Sequence, residues 1–156
     1  MTTNPSSGAT VKLSVSESWG LLREQLVGRL AVLSNDDPHP DIFPVNYVVD
    51  HGSIVFRTAE GTKLAAAVDR PVAFEVDGYD PASGEAWSVV VNGTAREVNK
   101  LDEVIDALDL PLFPWHTAPK PRIVRIEHDQ ISGRRFHALN APTRHQHGRR
   151  AAPERD

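Results

Sequence analysis

The sequence predicts a mainly β domain of the α+β class: a six-stranded antiparallel barrel, closed or split, with three short helices. Three observations predict it. Apolar and polar residues alternate in six runs, the period of a half-buried strand. Most runs are joined by short Asn, Asp, Gly and Pro segments that suit tight turns, so neighbouring strands run antiparallel. No stretch repeats a strand–helix–strand unit, which argues against a doubly wound nucleotide fold.

In chain order, residues 1–12 are rich in Thr, Ser, Asn and Gly and read as a flexible leader. Ser14-Val15-Ser16-Glu17 has the form of a capping box, and Trp19, Leu22 and Leu26 follow at helical spacing, predicting a helix over about 16–26. Residues 29–34 and 41–50 predict two strands around the Asn35–Pro40 turn, and His51-Gly52 turns the chain into a third, carrying Ile54, Phe56 and Thr58. Thr62 is a plausible N-cap for an alanine-rich helix that Pro71 ends. Val72, Phe74 and Val76 mark a fourth strand. Residues 79–84 form a loop, and Trp87, Val89 and Val91 mark a fifth strand. A short helix carries Leu101, Val104, Ile105 and Leu108. Pro111–Trp115 is an apolar loop, and residues 123–136 form a last long strand interrupted near Gly133. The domain spans 13–139, and 140–156 reads as a disordered basic tail.

Composition narrows the function. The chain has 156 residues, 40 % of them apolar and 24 % charged, with a net charge of −4. The last sixteen residues carry four arginines against Glu154 and Asp156, so the rest of the chain is acidic, which argues against nucleic acid as a partner. The absence of cysteine excludes disulfides, thiolate metal sites and thiol catalysis. The first residues lack the pattern of a secretory signal, and no apolar run nears the roughly 20 residues of a membrane helix, so a cytoplasmic location is expected. The seven histidines show no metal-ligand spacing, and no metal is expected.

Three groups of residues could carry chemistry. Arg57 and Thr58 end a strand, and Gly61, Thr62 and Lys63 open the next helix, which outlines an anion site of hydroxyls, cations and free amides. A capped helix with solvated charges has the same spelling. Asn46, after Val45 in an otherwise apolar strand, offers an amide to a planar heterocycle, or else sits at a strand edge. Trp87 and Ser88 offer a flat apolar surface beside a small polar group, although a core tryptophan reads alike.

The segments Val27-Gly-Arg-Leu-Ala-Val32, Pro44-Val-Asn-Tyr47, Ile54-Val-Phe-Arg-Thr58, Gly61-Thr-Lys-Leu64, Val72-Ala-Phe-Glu-Val-Asp77, Trp87-Ser-Val-Val-Val-Asn-Gly93 and Ile131-Ser-Gly-Arg-Arg135 stand in this order over about residues 14–136. Together they resemble the pyridoxamine 5'-phosphate oxidase-like family of FMN-binding split β-barrels, in particular its nitroimidazole-reductase-like branch. The resemblance implies a homodimer with FMN at the subunit interface. It places the phosphate near Thr58, Thr62 and Lys63 with Arg57 nearby, and the flavin ring along Val45 and Asn46, meeting Trp87 and Ser88. It implies an FMN-dependent oxidoreductase that passes hydride through flavin N5, with NAD(P)H or a deazaflavin as electron donor. The same groove would suit a non-catalytic protein binding flavin, the deazaflavin F420 or haem. The sequence departs from the family pattern where Ile42 and Tyr47 replace an arginine and a lysine and Ser88 replaces a glutamine. Arg135-Phe-His137 matches only two letters of the oxidase's substrate motif, so vitamin B6 chemistry is not implied.

Overall fold

The structure, a computed structural model, describes residues 9–59, 61–62, 64–99 and 121–138. Its elements are β1 (Val11–Leu13), α1 (Val15–Glu24), β2 (Val27–Leu33), β3 (Pro40–Asp50), β4 (Ser53–Ala59), a 3-10 turn (Leu64–Ala67), β5 (Pro71–Asp80), β6 (Glu85–Glu97) and β7 (Pro121–His137). All strand pairings are antiparallel. The order β7-β4-β3-β2-β5-β6 closes when β6 pairs back onto β7, giving the expected six-stranded barrel. The short β1 is a seventh strand on β7; it takes in the last two residues of the segment expected to be loose and the buried Leu13.

Alternation decides the interior. Leu30, Val32, Val45, Tyr47, Phe56, Phe74, Val89, Val91, Val124 and Ile126 point inward and are buried. Burying a phenylalanine such as Phe56 or Phe74 contributes about 2–3 kcal/mol. The Tyr47 ring meets Phe74 edge to face at 4.9 Å, and its hydroxyl donates to the Leu22 carbonyl at 2.5 Å. Burial raises the Tyr47 pKa well above its ordinary value. Helix α1 buries Trp19 and Leu22 in this core, and its capping box forms as the sequence predicts, with Glu17 N donating to Ser14 Oγ and Ser14 N to the Glu17 carboxylate.

Several boundaries differ from expectation. Helix α1 ends at Glu24, leaving Leu26 exposed. The alanine-rich helix is one 3-10 turn, because Asp69 takes a positive φ and the chain then bonds to β6 through Asp69 N to Ala95 O and Ala95 N to Arg70 O. β5 runs on through Tyr79 to Asp80, and β6 covers 85–97 rather than the few residues around Trp87, since each extends the ladder with its neighbour. The irregularity in β7 lies at Asp129, skipped between the pairs Asn92–Gln130 and Gly93–His128, whereas Gly133 is regularly paired with Val89. The helix near 101–108, the Pro111–Trp115 loop and the tail lie outside the described residues.

Candidate functional site

β3 and β4 pair only over Tyr47–Asp50 and Ser53–Phe56. Past the last pair, Tyr47–Phe56, the two strands part. Pro40–Asn46 then pairs with β2 alone, and Arg57–Ala59 with β7 alone. Asn46 and Arg57 are the first residues beyond this split. Strand edges left open this way present backbone donors and acceptors that a ligand can satisfy.

Alternation sorts the predicted residues onto two faces. Asn46 and Arg57 face outward, and Val45 and Thr58 face inward. Val45 is 4 % exposed, so its side chain is core, and only its backbone can meet a ligand. Arg57 flanks a second apolar cluster of Val55, Val98 and Ile123, and its Nε is buried with no hydrogen-bond partner among the described residues. A guanidinium N–H in that state is costly unless an acceptor completes it.

Thr58 is buried, and its Oγ1 lies 3.0 Å from Thr62 Oγ1. Thr62 Oγ1 also accepts from Ala65 N at 3.2 Å, the predicted cap on a shorter turn. The structure thus unites Thr58 with Thr62 but sends Arg57 to the opposite side of β4. Gly61 takes φ +78° ahead of Thr62. Lys63 lies outside the described residues.

Sequence reasoning missed Arg122, the cross-strand partner of Thr58. Glu97 grips it with two hydrogen bonds, the one from Arg122 Nε 2.8 Å long. Those bonds and the Arg122 charge hold the Glu97 carboxyl below its ordinary pKa. Arg122 pairs with Thr58 only through long-range strand pairing, which no local motif announces.

Trp87 and Ser88 do not join Asn46 within one chain. Trp87 is half-buried and packs partly on the core. Its indole lies so close over Gly78 that an added Cβ there would meet Trp87 Nε1 at 2.4 Å. It lines a cavity of about 420 Å³ with Leu21, Gln25, Asp80, Glu85 and Arg135. Ser88 stands opposite Asp77 on β5, whereas Asn46 stands opposite Val27 on β2. Strands β2 and β5 separate the two, three inter-strand steps of roughly 4.8 Å each around a convex surface.

His39, His51, His128 and His137 are all exposed. His116 lies outside the described residues. Among the described residues no group of acidic and histidine side chains could hold a metal, and no helix is long and apolar enough to cross a membrane.

Comparison with known proteins agrees with this architecture. The family model for pyridoxamine 5'-phosphate oxidase matches residues 14–135. The chain is 41 % identical to the FAD binding protein of Mycobacterium smegmatis, covering 81 % of this chain and 100 % of that one with a TM-score of 0.72. An FAD-binding protein of Mesorhizobium loti shares the fold at 23 % identity and a TM-score of 0.66, over 85 % of this chain and 100 % of that one. An uncharacterized protein of Mycobacterium tuberculosis, Rv0080, is 34 % identical over 84 % of this chain and 88 % of its own length. The chain belongs to the pyridoxamine 5'-phosphate oxidase family.

Proposed function

We propose that this chain is a flavin-dependent oxidoreductase that holds the flavin at the split between β3 and β4. The observation that carries the reading is the pairing of that split with the buried, partnerless Nε of Arg57. The residues fit such a ligand. The outer face beside the split offers the Asn46 amide among Val27, Pro44 and Ile42, apolar contacts for a flat ring beside the ion-paired Arg29 across from Pro44. Arg57 supplies a donor whose desolvation a flavin carbonyl oxygen would offset.

The reading includes a homodimer. One protomer cannot bring Trp87 and Ser88 to Asn46, because β2 and β5 intervene. A second copy laying the outer face of its β6 against β3 of the first would bring Ser88 to Asn46, while Trp87, packed inward over Gly78, stays with its own core. Exposed Leu26, Val27, Leu33 and Ile42 give this part of the molecule an apolar surface for a partner copy to bury.

A bound flavin supplies hydride chemistry at N5. The Asn46 amide would orient the ring edge by hydrogen bonding, and Arg57 would offset negative charge on the ring. The second copy's β6 excludes water from the ring. The reading covers FMN and FAD alike, with NAD(P)H or a reduced deazaflavin as donor.

The test is anaerobic reduction. Protein loaded with FMN or FAD and freed of excess should keep the oxidised-flavin spectrum, bleach on adding one of these donors and recover with an electron acceptor over repeated cycles. Flavin that is retained but never reduced by any donor would leave a binding protein and end the oxidoreductase reading.

A further inference from the structure

Three polar features converge on the inner side of β4 at the end of the barrel. Thr58 and Thr62 bring two hydroxyls within 3.0 Å of each other. Arg122 stands directly across from Thr58, so the two side chains share a face with Cβ atoms roughly 5 Å apart. Glu97, on β6, takes two nitrogens of that guanidinium, and both side chains of the pair keep about a quarter of their surface in solvent, 29 % for Arg122 and 24 % for Glu97.

A hydroxyl pair beside a guanidinium is the donor set a phosphate monoester or diphosphate takes. Here the guanidinium comes with its own counter-charge, so the pair presents no net positive charge. Two cation positions of the family pattern carry no cation here. Tyr47 spends its hydroxyl on Leu22 inside the core, and Ile42 is exposed on the outer face.

We propose that the Arg122–Glu97 pair sets how strongly this chain engages the phosphate of a flavin nucleotide: Arg122 is the phosphate cation, and Glu97 competes with the phosphate for it. The proposal rests on the flavin reading above. It makes Glu97 a specificity-determining residue that weakens the distinction between FMN and unphosphorylated riboflavin. When a phosphate binds at Thr58 and Thr62, Arg122 gives up one or both Glu97 oxygens and donates to phosphate oxygens instead. Glu97 then turns to solvent, which its partial exposure permits.

The experiment titrates inorganic phosphate, riboflavin and FMN into the wild-type chain, Glu97→Gln, Glu97→Ala and the double variant Glu97→Gln/Arg122→Gln, each first shown by thermal melting to be folded. Removing the competing carboxylate should tighten phosphate and FMN about tenfold and leave riboflavin unmoved. The double variant should lose that gain. Two substitutions at Glu97 guard against one failing to fold and against the amide of glutamine still holding Arg122. Unchanged phosphate affinity in a folded Glu97 variant overturns the proposal, as does an equal gain for FMN and riboflavin. If riboflavin fails to bind the wild type, the ring reading falls, and the phosphate titrations of the same variants still decide the role of Glu97.

Discussion

Arg57 shows how one residue can be read at two levels. Its neighbour Thr58 suggests a shared anion site in the sequence, yet alternation along β4 puts the two on opposite faces. The outward guanidinium has a buried Nε with no hydrogen-bond partner among the described residues, so in the proposed reading its donor serves the ligand more than the fold. Arg57→Ala should therefore weaken flavin binding about tenfold or more, with little change in melting temperature. A large drop in melting temperature at unchanged flavin affinity would reassign Arg57 to structure. Gly78 is the converse case. Gly78→Ala would drive a methyl into the Trp87 indole and should cost roughly 1–3 kcal/mol of stability. Urea unfolding would measure that cost, and a shifted Trp87 fluorescence would confirm its source.

At the scale of elements, ion pairs fasten β7 to its neighbours. Arg125 binds Asp50 and Ser53 at the β3–β4 turn, and Arg122 binds Glu97. Burial pushes the Asp50 pKa up, but the Arg125 hydrogen bond and charge pull it down further, and Arg122 lowers that of Glu97. A carboxylate with a depressed folded pKa adds stability above its unfolded pKa of about 4. That contribution is lost as pH falls through the folded value. Melting temperature should thus fall as pH drops below about 4, and Glu97→Gln should flatten the fall; an unchanged profile in that variant would show that the pair adds no pH-dependent stability. Helix α1 offers a simpler test. Ser14→Ala removes one half of the capping box and should cost about 1 kcal/mol by urea unfolding.

These elements were legible in the sequence to differing degrees. The capping box, the strands from 27 to 59 and the His51-Gly52 turn follow from local pattern, because short-range spacing and turn chemistry determine them. The alanine-rich segment at 64–67 did not become an α-helix because its following residues bond to β6, a contact no local propensity reports. Glycine drew attention to Gly133, whereas the irregularity sits at Asp129, where the long pairing with β6 slips. Asn46, Arg57 and Thr62 were singled out as candidates from their residue types and positions. Arg122 and Glu97 were not, since only barrel closure brings β4, β7 and β6 together.

The described residues form a barrel that opens on one side, between β3 and β4, with exposed apolar side chains at Leu26, Val27, Leu33 and Ile42 on the β2–β3 side of that opening and others at Val11, Val15 and Tyr79. Closure by β6–β7 pairing spreads Asn46 and Ser88 around the circumference, so the proposed site would need a second copy to unite them. Ile42→Asp would place a charge in that shared surface. It should shift the protein from dimer to monomer in analytical ultracentrifugation and weaken flavin binding together with it. A wild-type chain that sediments as a monomer at the concentrations where flavin binds would separate the two properties and contradict the shared site.

The most direct measurement of the central claim is an FMN titration of the purified wild-type chain, followed by flavin fluorescence polarisation. A flavin seated at the split predicts a saturable rise at one flavin per protomer. A signal that never saturates, or one fully retained by the Arg57→Ala chain, would contradict a flavin held between Asn46 and Arg57.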